Sequence, residues 1–275
     1  MFSISRKLRR EAKTVGFVPT MGALHEGHLA LVKEARAAND VVIVSIFVNP
    51  TQFNDKSDLA KYPRDLTADA AMLAEYEVDY IFAPEPHEIY GDGFSTYVNV
   101  EGLTNSLEGE SRPGHFRGVA TVVTILFNTV RPDRAYFGQK DAQQVAVIKR
   151  LTLDLGFETE IVVIPTVREE SGLAMSSRNE LLSSEDREKA AVIINGLREA
   201  KLAFKKGERN AVHLTEMVKK HITGEPGAEI DYVAIVNRDS LQTVEKVGDD
   251  ETLIAVAVRI GGVRLIDNVI LNRKQ

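Results

Sequence analysis

The sequence predicts an α/β protein, with a doubly wound, Rossmann-like parallel sheet domain followed by a smaller α+β domain with an antiparallel sheet. Strand-like and helix-like segments alternate through the first 165 residues, which is typical of a parallel sheet with helices on both faces. Residues 41–48 are apolar at all but one position, as in a strand buried on both faces. Near the C-terminus, two apolar-rich segments flank Gly261-Gly262, a dipeptide typical of a two-residue hairpin turn.

In the first part of the chain, prolines and glycines mark where strands and helices end. We expect a first strand at 15–18 that stops at Pro19, and a helix whose apolar spacing starts at Leu29. An extended segment at 94–100 is expected at the edge of the sheet. The other segments are predicted strands at 80–83, 135–137 and 158–164 and predicted helices at 66–77, 118–130 and 141–155.

After Pro165 the pattern changes, and a polar, glycine-containing stretch at 168–179 is expected to be a linker. Ser183 and Asp186 lie three residues apart and predict a helix N-cap. Two helices are then predicted, at 190–204 and 211–222, followed by strands at 232–236, 253–260 and 263–271. We therefore predict two domains, residues 1–168 and residues 169–275.

Composition excludes several classes of protein. With 44% hydrophobic and 27% charged residues, the 275-residue chain has the composition of an ordinary globular protein. The net charge of −6 gives no electrostatic reason for nucleic-acid binding, and the absence of cysteine excludes disulfides, thiolate catalysis and cysteine-ligated metals. No apolar stretch approaches the roughly 18 residues of a membrane span, and no signal-peptide pattern is present. We expect a cytoplasmic protein with no nucleic-acid or membrane partner.

The stretch from Val15 to His28 has the strongest pattern for a ligand site. A short apolar strand leads into a turn with Gly22 and Gly27, and the following helix begins near His25 and His28. Free amides at a helix N-terminus favour an anion, and imidazoles can donate hydrogen bonds to phosphate oxygens. A pair of surface histidines is the alternative, and zinc would require a third ligand that the spacing does not supply.

Polar clusters follow three of the predicted strands, at 19–28, 49–53 and 138–144. Because ligands bind beyond the carboxyl ends of the strands in an open α/β sheet, we expect these clusters to line one crevice. Lys140 offers a mobile positive charge for phosphate, whereas Asp141 either holds a ribose hydroxyl or only caps the helix. Gln52 and Gln144 offer neutral amides, which suit a carboxylate or a hydroxyl.

Three further segments carry polar side chains in less specific patterns. Met175–Arg178 lies in the expected linker, where hydroxyls and a guanidinium can close over a triphosphate. Residues 112–117 place arginines and a histidine before an apolar helix, either to meet an anion or only to begin that helix. Asp65 and Asp69 lie four residues apart on a predicted helix, where they either hold magnesium through water or form a solvated face.

Six blocks of sequence together carry a resemblance that no single block carries. They are Pro19-Thr20-Met21-Gly22-x-Leu24-His25-x-Gly27-His28, Asn49-Pro50-Thr51-Gln52-Phe53, Tyr62-Pro63-Arg64, Arg112-Pro113-Gly114-His115-Phe116, Phe137-Gly138-x-Lys140-Asp141-x-Gln143-Gln144 and Met175-Ser176-Ser177-Arg178-Asn179. In this order they resemble the pantothenate synthetase, or pantoate–β-alanine ligase, family over essentially the whole chain. That family belongs to the nucleotidyltransferases with a His-x-Gly-His-type signature.

The resemblance implies an ATP-dependent condensation of pantoate with β-alanine, through a pantoyl adenylate, to give pantothenate, AMP and pyrophosphate. It also implies Mg²⁺ as a cofactor and a homodimer. Another small-substrate adenylyltransferase of the same superfamily is the alternative, although it does not explain Gln52 and Gln144. A dinucleotide-binding protein is a third hypothesis, but no Gly-x-Gly-x-x-Gly follows the first strand.

Individual residue roles also follow from the resemblance. It implies catalytic roles for His28, His25, Lys140 and Arg178. Gln52 and Gln144 would bind pantoate, Gln52 would also bind β-alanine, and Asp69 is the best match to the Mg²⁺ ligand. The ATP-binding residues would be Met21, Gly22, Ala23, Leu24, His25, Glu26, Gly27, His28, Gly138, Gln139, Lys140, Asp141, Val167, Met175, Ser176, Ser177 and Arg178.

Overall fold

A computed structural model of the chain describes residues 1–54 and 56–272. It divides into two units by internal contacts. The first comprises Met1–Gly138 and Gln143–Pro165, and the second comprises Gln139–Ala142 and the chain from Thr166 onward. The predicted domain boundary at residues 168 and 169 stays a prediction. Among the described residues, no helix combines the length and apolar character needed to cross a membrane.

The first unit is built on a five-stranded sheet in which every neighbouring pair is parallel. Its strands are β1 (Val15–Thr20), β2 (Val41–Ile46), β3 (Tyr80–Phe82), β4 (Arg134–Gly138) and β5 (Glu160–Ile164). Their order is β3-β2-β1-β4-β5, so the strand order reverses between β1 and β4. This confirms the predicted doubly wound sheet, whose ligand crevice is expected at that reversal.

Helices connect these strands and cover the sheet. They are α1 (Phe2–Arg10), α2 (Glu26–Ala38), α3 (Lys56–Lys61), α4 (Leu66–Ala74), α5 (Pro86–Ile89), α6 (Glu108–Ser111), α7 (His115–Val130) and α8 (Ala142–Asp154). Phe17 and Val18 on β1 and Ile43 and Val44 on β2 are completely buried. Burial at consecutive positions is what the apolar run at 41–48 predicts for a strand covered on both faces.

Pro19 lies inside β1, so the predicted end of the strand at Val18 is wrong. The amide of Asp133 donates to the Val15 carbonyl and the amide of Phe47 donates to the Thr20 carbonyl. Odd-numbered residues of β1 therefore point their backbone groups toward β4. Pairing with β4 ends at Phe17, so proline's missing N–H faces a side where no ladder bond is made.

The segment 94–100 is also not the expected edge strand. The sheet ends at β3 and β5, and within the described residues this segment has no strand assignment. Its Val98 amide instead donates to Thr121 Oγ1 on α7, at 3.0 Å.

In the part of the chain that the structure describes, the second unit combines three α-helices with an antiparallel sheet of order β6-β7-β8. Ser183 caps its first helix by accepting the Asp186 amide at 3.1 Å, as predicted. Gly261 and Gly262 have φ of 56° and 76° and connect β7 to β8, which confirms the predicted two-residue hairpin turn. The elements are α9 (Ser184–Lys189), α10 (Ala191–Lys205), α11 (Ala211–Thr223), β6 (Glu229–Asn237), β7 (Thr252–Ile260) and β8 (Val263–Leu271).

The stretch expected to be a linker, 168–179, is folded into this unit. Arg168 and Ala174 form an antiparallel bridge, and the Glu169 amide donates to the Leu173 carbonyl at 2.9 Å. Gly172 closes the resulting hairpin with φ of +91°. Leu173 and Ala174 are each 3% exposed, so this polar-looking segment is anchored by two buried apolar side chains.

Candidate active site

The turn between β1 and α2 is tight and built from left-handed residues. Gly22 has φ of 79° and Ala23 has φ of 51°. The Thr20 hydroxyl donates to the Ser45 carbonyl on β2 at 2.7 Å and accepts the Gly22 amide at 3.2 Å. The turn is thereby tied to the neighbouring strand at the point where both strands end.

Asp69, on α4, holds this turn from the side. The residue is 3% exposed, and its carboxylate accepts the Ala23 amide at 3.1 Å and the Leu24 amide at 2.8 Å, one on each oxygen. A Cβ added at Gly22 would lie 2.8 Å from Asp69 Oδ2, so glycine is required for the carboxylate to come this close. Sequence reasoning assigned Asp69 to magnesium and did not find this bonding.

His25 and His28 bond each other's backbone at the start of α2. His25 is the N-cap, and its Nδ1 accepts the Gly27 amide at 3.1 Å. His28 Nδ1 accepts the His25 amide at 3.3 Å, and the ring centroids are 4.1 Å apart. An Nδ1 that accepts an N–H carries no proton, so each neutral ring carries its proton on Nε2. The geometry therefore gives both histidines an Nε2–H donor beside the helix N-terminus. Both imidazoles were expected at the start of the helix, and the structure has His25 as the N-cap and His28 in the first turn.

Gln52 follows β2 in a short 3₁₀ turn at 50–52 and is 8% exposed. Its Oε1 accepts from Asn49 Nδ2 at 3.0 Å, and its Nε2 contacts Met21 Sδ at 3.0 Å. The structure thus brings Met21 and Gln52 together at adjacent strand ends. Because Asn49 occupies the carbonyl end, the Gln52 amide presents its donor end.

Asn49 is the residue that sequence reasoning missed here. Its side chain is almost completely buried, and its Oδ1 accepts from Thr51 Oγ1 at 2.9 Å and from the Tyr90 hydroxyl at 2.6 Å. Burial raises the pKa of Tyr90, so its hydroxyl is even less acidic than that of an ordinary tyrosine and donates this bond. The signal available in the sequence was an asparagine directly after an apolar strand.

The start of α7 contacts the backbone of the turn that carries Gln52. His115 Nδ1 lies 2.9 Å from the Gln52 carbonyl, and its Nε2 lies 3.2 Å from Arg112 Nη1. Since a carbonyl and a guanidinium have fixed roles, Nδ1 donates and Nε2 accepts. Of the two alternatives for residues 112–117, these contacts support a role in beginning the helix and holding the Gln52 backbone.

Beyond β4, the two glutamines at 143 and 144 have different environments. Gln143 is 5% exposed; its Nε2 donates to the carbonyls of Leu103 and Ser106 at 2.8 and 2.9 Å, and its Oε1 accepts the Glu108 amide. Gln144 is half-buried in the first turn of α8. Gln143 is therefore structural, whereas Gln144 stays the predicted substrate ligand.

In the second unit, the remaining predicted nucleotide residues lie in two segments. Lys140 and Asp141 are half-buried in a 3₁₀ turn at 139–141. The Met175 amide donates to the Val167 carbonyl at 3.0 Å, which pairs those two residues across the hairpin. Ser176 accepts the Arg178 amide at 3.3 Å and caps a 3₁₀ turn at 177–181.

Comparisons with known proteins identify the family of the chain. The family model described as pantoate-beta-alanine ligase matches residues 1–270. The pantothenate synthetase of Heliobacterium modesticaldum is 54% identical over 271 residues, covering 98% of this chain and 96% of its own length. That of Syntrophotalea carbinolica is 53% identical over 260 residues, covering 94% of this chain and 92% of its own length.

Solved structures give the same result. The pantothenate synthetase of Thermus thermophilus superposes with a TM-score of 0.92 at 47% identity, covering 98% of each chain. The pantoate-beta-alanine ligase of Francisella tularensis, complexed with beta-gamma ATP and beta-alanine, superposes with a TM-score of 0.79 at 40% identity, covering 100% of this chain and 96% of its own. The chain belongs to the pantoate–β-alanine ligase family.

Proposed function

We propose that this protein condenses pantoate with β-alanine to form pantothenate, at the expense of ATP. The observation that carries the proposal is the family match over residues 1–270 in a chain whose paired histidines, His25 and His28, lie at the N-terminus of α2. Relatives about 50% identical carry the name pantothenate synthetase.

The proposed reaction has two steps. A carboxylate oxygen of pantoate attacks the α-phosphorus of ATP, the bond to the bridging oxygen breaks, and pyrophosphate leaves. The amine of β-alanine then attacks the acyl carbon of pantoyl adenylate, AMP leaves with the bonding electrons, and the nitrogen loses a proton. The protein needs no covalent nucleophile for either step, because alignment and charge stabilisation lower both barriers.

We propose that His28 is the principal catalytic residue, with His25, Lys140 and Arg178 sharing contacts with the phosphate groups. An Nε2–H donor held in place by the N-cap bonds costs no reorganisation as charge develops on phosphate oxygens. The ATP-binding residues are proposed to be Met21–His28, Gly138–Asp141, Val167 and Met175–Arg178.

We propose that Gln52 binds both pantoate and β-alanine, and that Gln144 binds pantoate. The bond from Asn49 to Gln52 Oε1 fixes which end of the amide is the donor. A thioether is a weak acceptor, so Gln52 Nε2 exchanges its contact with Met21 for a substrate oxygen at little cost.

Magnesium is proposed to accompany ATP, held mainly by the phosphates, since Mg²⁺ commonly binds through substrate oxygens and few carboxylates. Among the described residues, no group of three or more histidines or acids forms a metal site. Asp69 already accepts two amides, so its donor set does not favour the predicted metal role, and no step is derived through the ion. By family resemblance we also propose a homodimer, testable by sedimentation velocity, and a cytoplasmic location.

The direct test is to incubate the purified protein with ATP, Mg²⁺, pantoate and β-alanine and to measure AMP and pantothenate. We expect pyrophosphate release to require pantoate and AMP release to require β-alanine as well. Absence of pantothenate, or pyrophosphate release driven instead by a phosphate-bearing acceptor, would contradict the proposal.

A further inference from the structure

Two consecutive polar residues on the last strand are almost completely buried. Asp267 is 4% exposed and Asn268 is 5% exposed. In the alternation of β8, Asp267 occupies a position between Leu265 and Val269, both of which pack in the apolar core of this unit. A buried carboxylate and amide are costly unless they are hydrogen-bonded, so their partners indicate what they are for.

Asn268 bonds the turn that carries Lys140. Its Nδ2 donates to the Gln139 carbonyl at 3.0 Å and to the Lys140 carbonyl at 2.9 Å. Its Oδ1 accepts from Gln139 Nε2 at 3.0 Å. One asparagine therefore uses both N–H groups and its carbonyl to hold a turn that lies 128 residues earlier in the chain.

Asp267 bonds the hairpin that carries Val167 and Met175. Its two oxygens accept from both terminal nitrogens of Arg168, at 2.6 and 2.9 Å. The same guanidinium donates to the Gly172 carbonyl at 3.0 Å, at the tip of the hairpin. A bidentate pair of this kind restricts the position and the orientation of the segment.

The two side chains are also coupled to each other. The backbone N–H of Asn268 donates to Asp267 Oδ1 at 2.7 Å. The same oxygen accepts from Arg168 Nη2, so one carboxylate oxygen bonds both the arginine of the hairpin and the backbone of Asn268. Successive residues of a strand point to opposite faces of the sheet. One rigid dipeptide thus holds two segments, one on each side of β8.

We propose that Asp267 and Asn268 form a positioning pair for ATP, holding the Lys140 turn and the Val167–Met175 hairpin in the geometry that binds the nucleotide. The inference rests on the proposed function, because these segments are the ones assigned to ATP in the second unit. We assign the pair a positioning role, with no contact to the reacting atoms.

The sharpest test replaces Asn268 by aspartate, which has the same shape. Asn268→Asp puts a carboxylate oxygen against two carbonyl oxygens at about 3 Å and removes both donated bonds. Loss of two buried bonds predicts a roughly tenfold or greater rise in the Kd for a non-hydrolysable ATP analogue and in the KM for ATP. Asp267→Asn, which keeps one bond to Arg168, should raise both by about threefold.

A structural defect alone would not produce this selectivity. We expect the KM for β-alanine to change by less than about twofold. The matched control is Asn195→Asp, at an exposed position in the middle of α10, which should match the wild type in every measurement. If Asn268→Asp does not fold, Asn268→Ser replaces it in the test. Serine keeps one uncharged donor, so we expect an intermediate rise in the Kd for the ATP analogue and in the KM for ATP.

The outcomes separate the two proposals. Variants that fold and bind the ATP analogue with wild-type affinity would overturn the positioning pair, as would an equal loss for ATP and β-alanine. A wild-type protein that binds the analogue but makes no pantothenate would instead overturn the proposed function, and the analogue titrations would still decide the positioning pair.

Discussion

Replacing Gly118 by alanine tests how tightly the Gln52 turn depends on α7. A Cβ at this position would lie 2.5 Å from the Thr51 carbonyl oxygen, 2.6 Å from its carbon and 2.8 Å from the Gln52 amide nitrogen. All three atoms belong to backbone, so no side-chain rotation relieves the contact. The Gly118 carbonyl also accepts from Asn49 Nδ2 at 3.2 Å, so the helix and the turn cannot separate without weakening that bond.

The size of the displacement follows from these distances. Ordinary contact begins near 3.4 Å, so the Thr51 carbonyl oxygen must move by about 0.9 Å or the helix must shift equally. Overpacking of this kind costs about 1–3 kcal/mol of stability. A misplacement of about 1 Å at a substrate ligand costs roughly 10²-fold in rate, and Gln52 is the proposed ligand of both pantoate and β-alanine.

The assay compares Gly118→Ala with the wild type by thermal unfolding and by steady-state kinetics with each substrate varied in turn. We expect a lower Tm and a loss of about 10²-fold in kcat/KM for pantoate. Gly248→Ala is the matched control, since a Cβ added there would have no atom within 4 Å apart from those of its chain neighbours. A Gly118→Ala protein with wild-type kinetics for pantoate would refute the reasoning that this packing positions Gln52.

Three further predictions follow from other parts of the molecule. His28→Ala should lower kcat by roughly 10²-fold, because a hydrogen-bond donor to the phosphate oxygens is lost. His87→Ala, at an exposed position, should leave kcat unchanged. Equal turnover in the two variants would remove His28 from the site. Asp69→Asn leaves one turn amide facing an NH₂ group and should cost about 2 kcal/mol of unfolding free energy, measured by denaturant titration with EDTA present; a loss seen only with Mg²⁺ would restore the metal role. The hydrogen bond from Arg187 lowers the pKa of Glu169. This ion pair therefore contributes about 1 kcal/mol to the free energy of unfolding at neutral pH. The contribution is lost as the pH falls through the lowered pKa. Glu169→Gln and the wild type should therefore differ in unfolding free energy at pH 7 and converge in acid, and a constant difference would contradict this.

Sequence patterns predicted the structure correctly where the deciding contacts join residues that are close in the chain or regularly spaced along it. The apolar run after Asp40 predicted a strand buried on both faces, and Val41–Val44 are buried at successive positions. Ser183 caps a helix through a residue three positions away, and Gly261-Gly262 closes a hairpin between adjacent strands. Each of these features is decided by backbone conformation within a few residues, which residue type reports directly.

Tolerance of Pro19 inside β1 could not be predicted in this way. It depends on which neighbouring strand the missing N–H faces and on where the pairing with that strand ends. The sequence around Pro19 contains neither fact. The same holds for Gly118. A side chain is excluded at this position by a turn more than 60 residues earlier in the chain.

The sequence by itself determined the parallel sheet, the C-terminal hairpin and, through six ordered blocks, the family. Tertiary structure alone decided how the site is held in place: Asp69 bonds amides 45 and 46 residues away, and Asn268 bonds carbonyls 128 and 129 residues away. Periodicity and turn propensity describe neighbours along the chain, whereas a buried side chain chooses its partner by proximity after folding. A polar residue at a position where the strand alternation calls for an apolar one, such as Asp267, is the sign of such long-range bonding that can be read in the sequence.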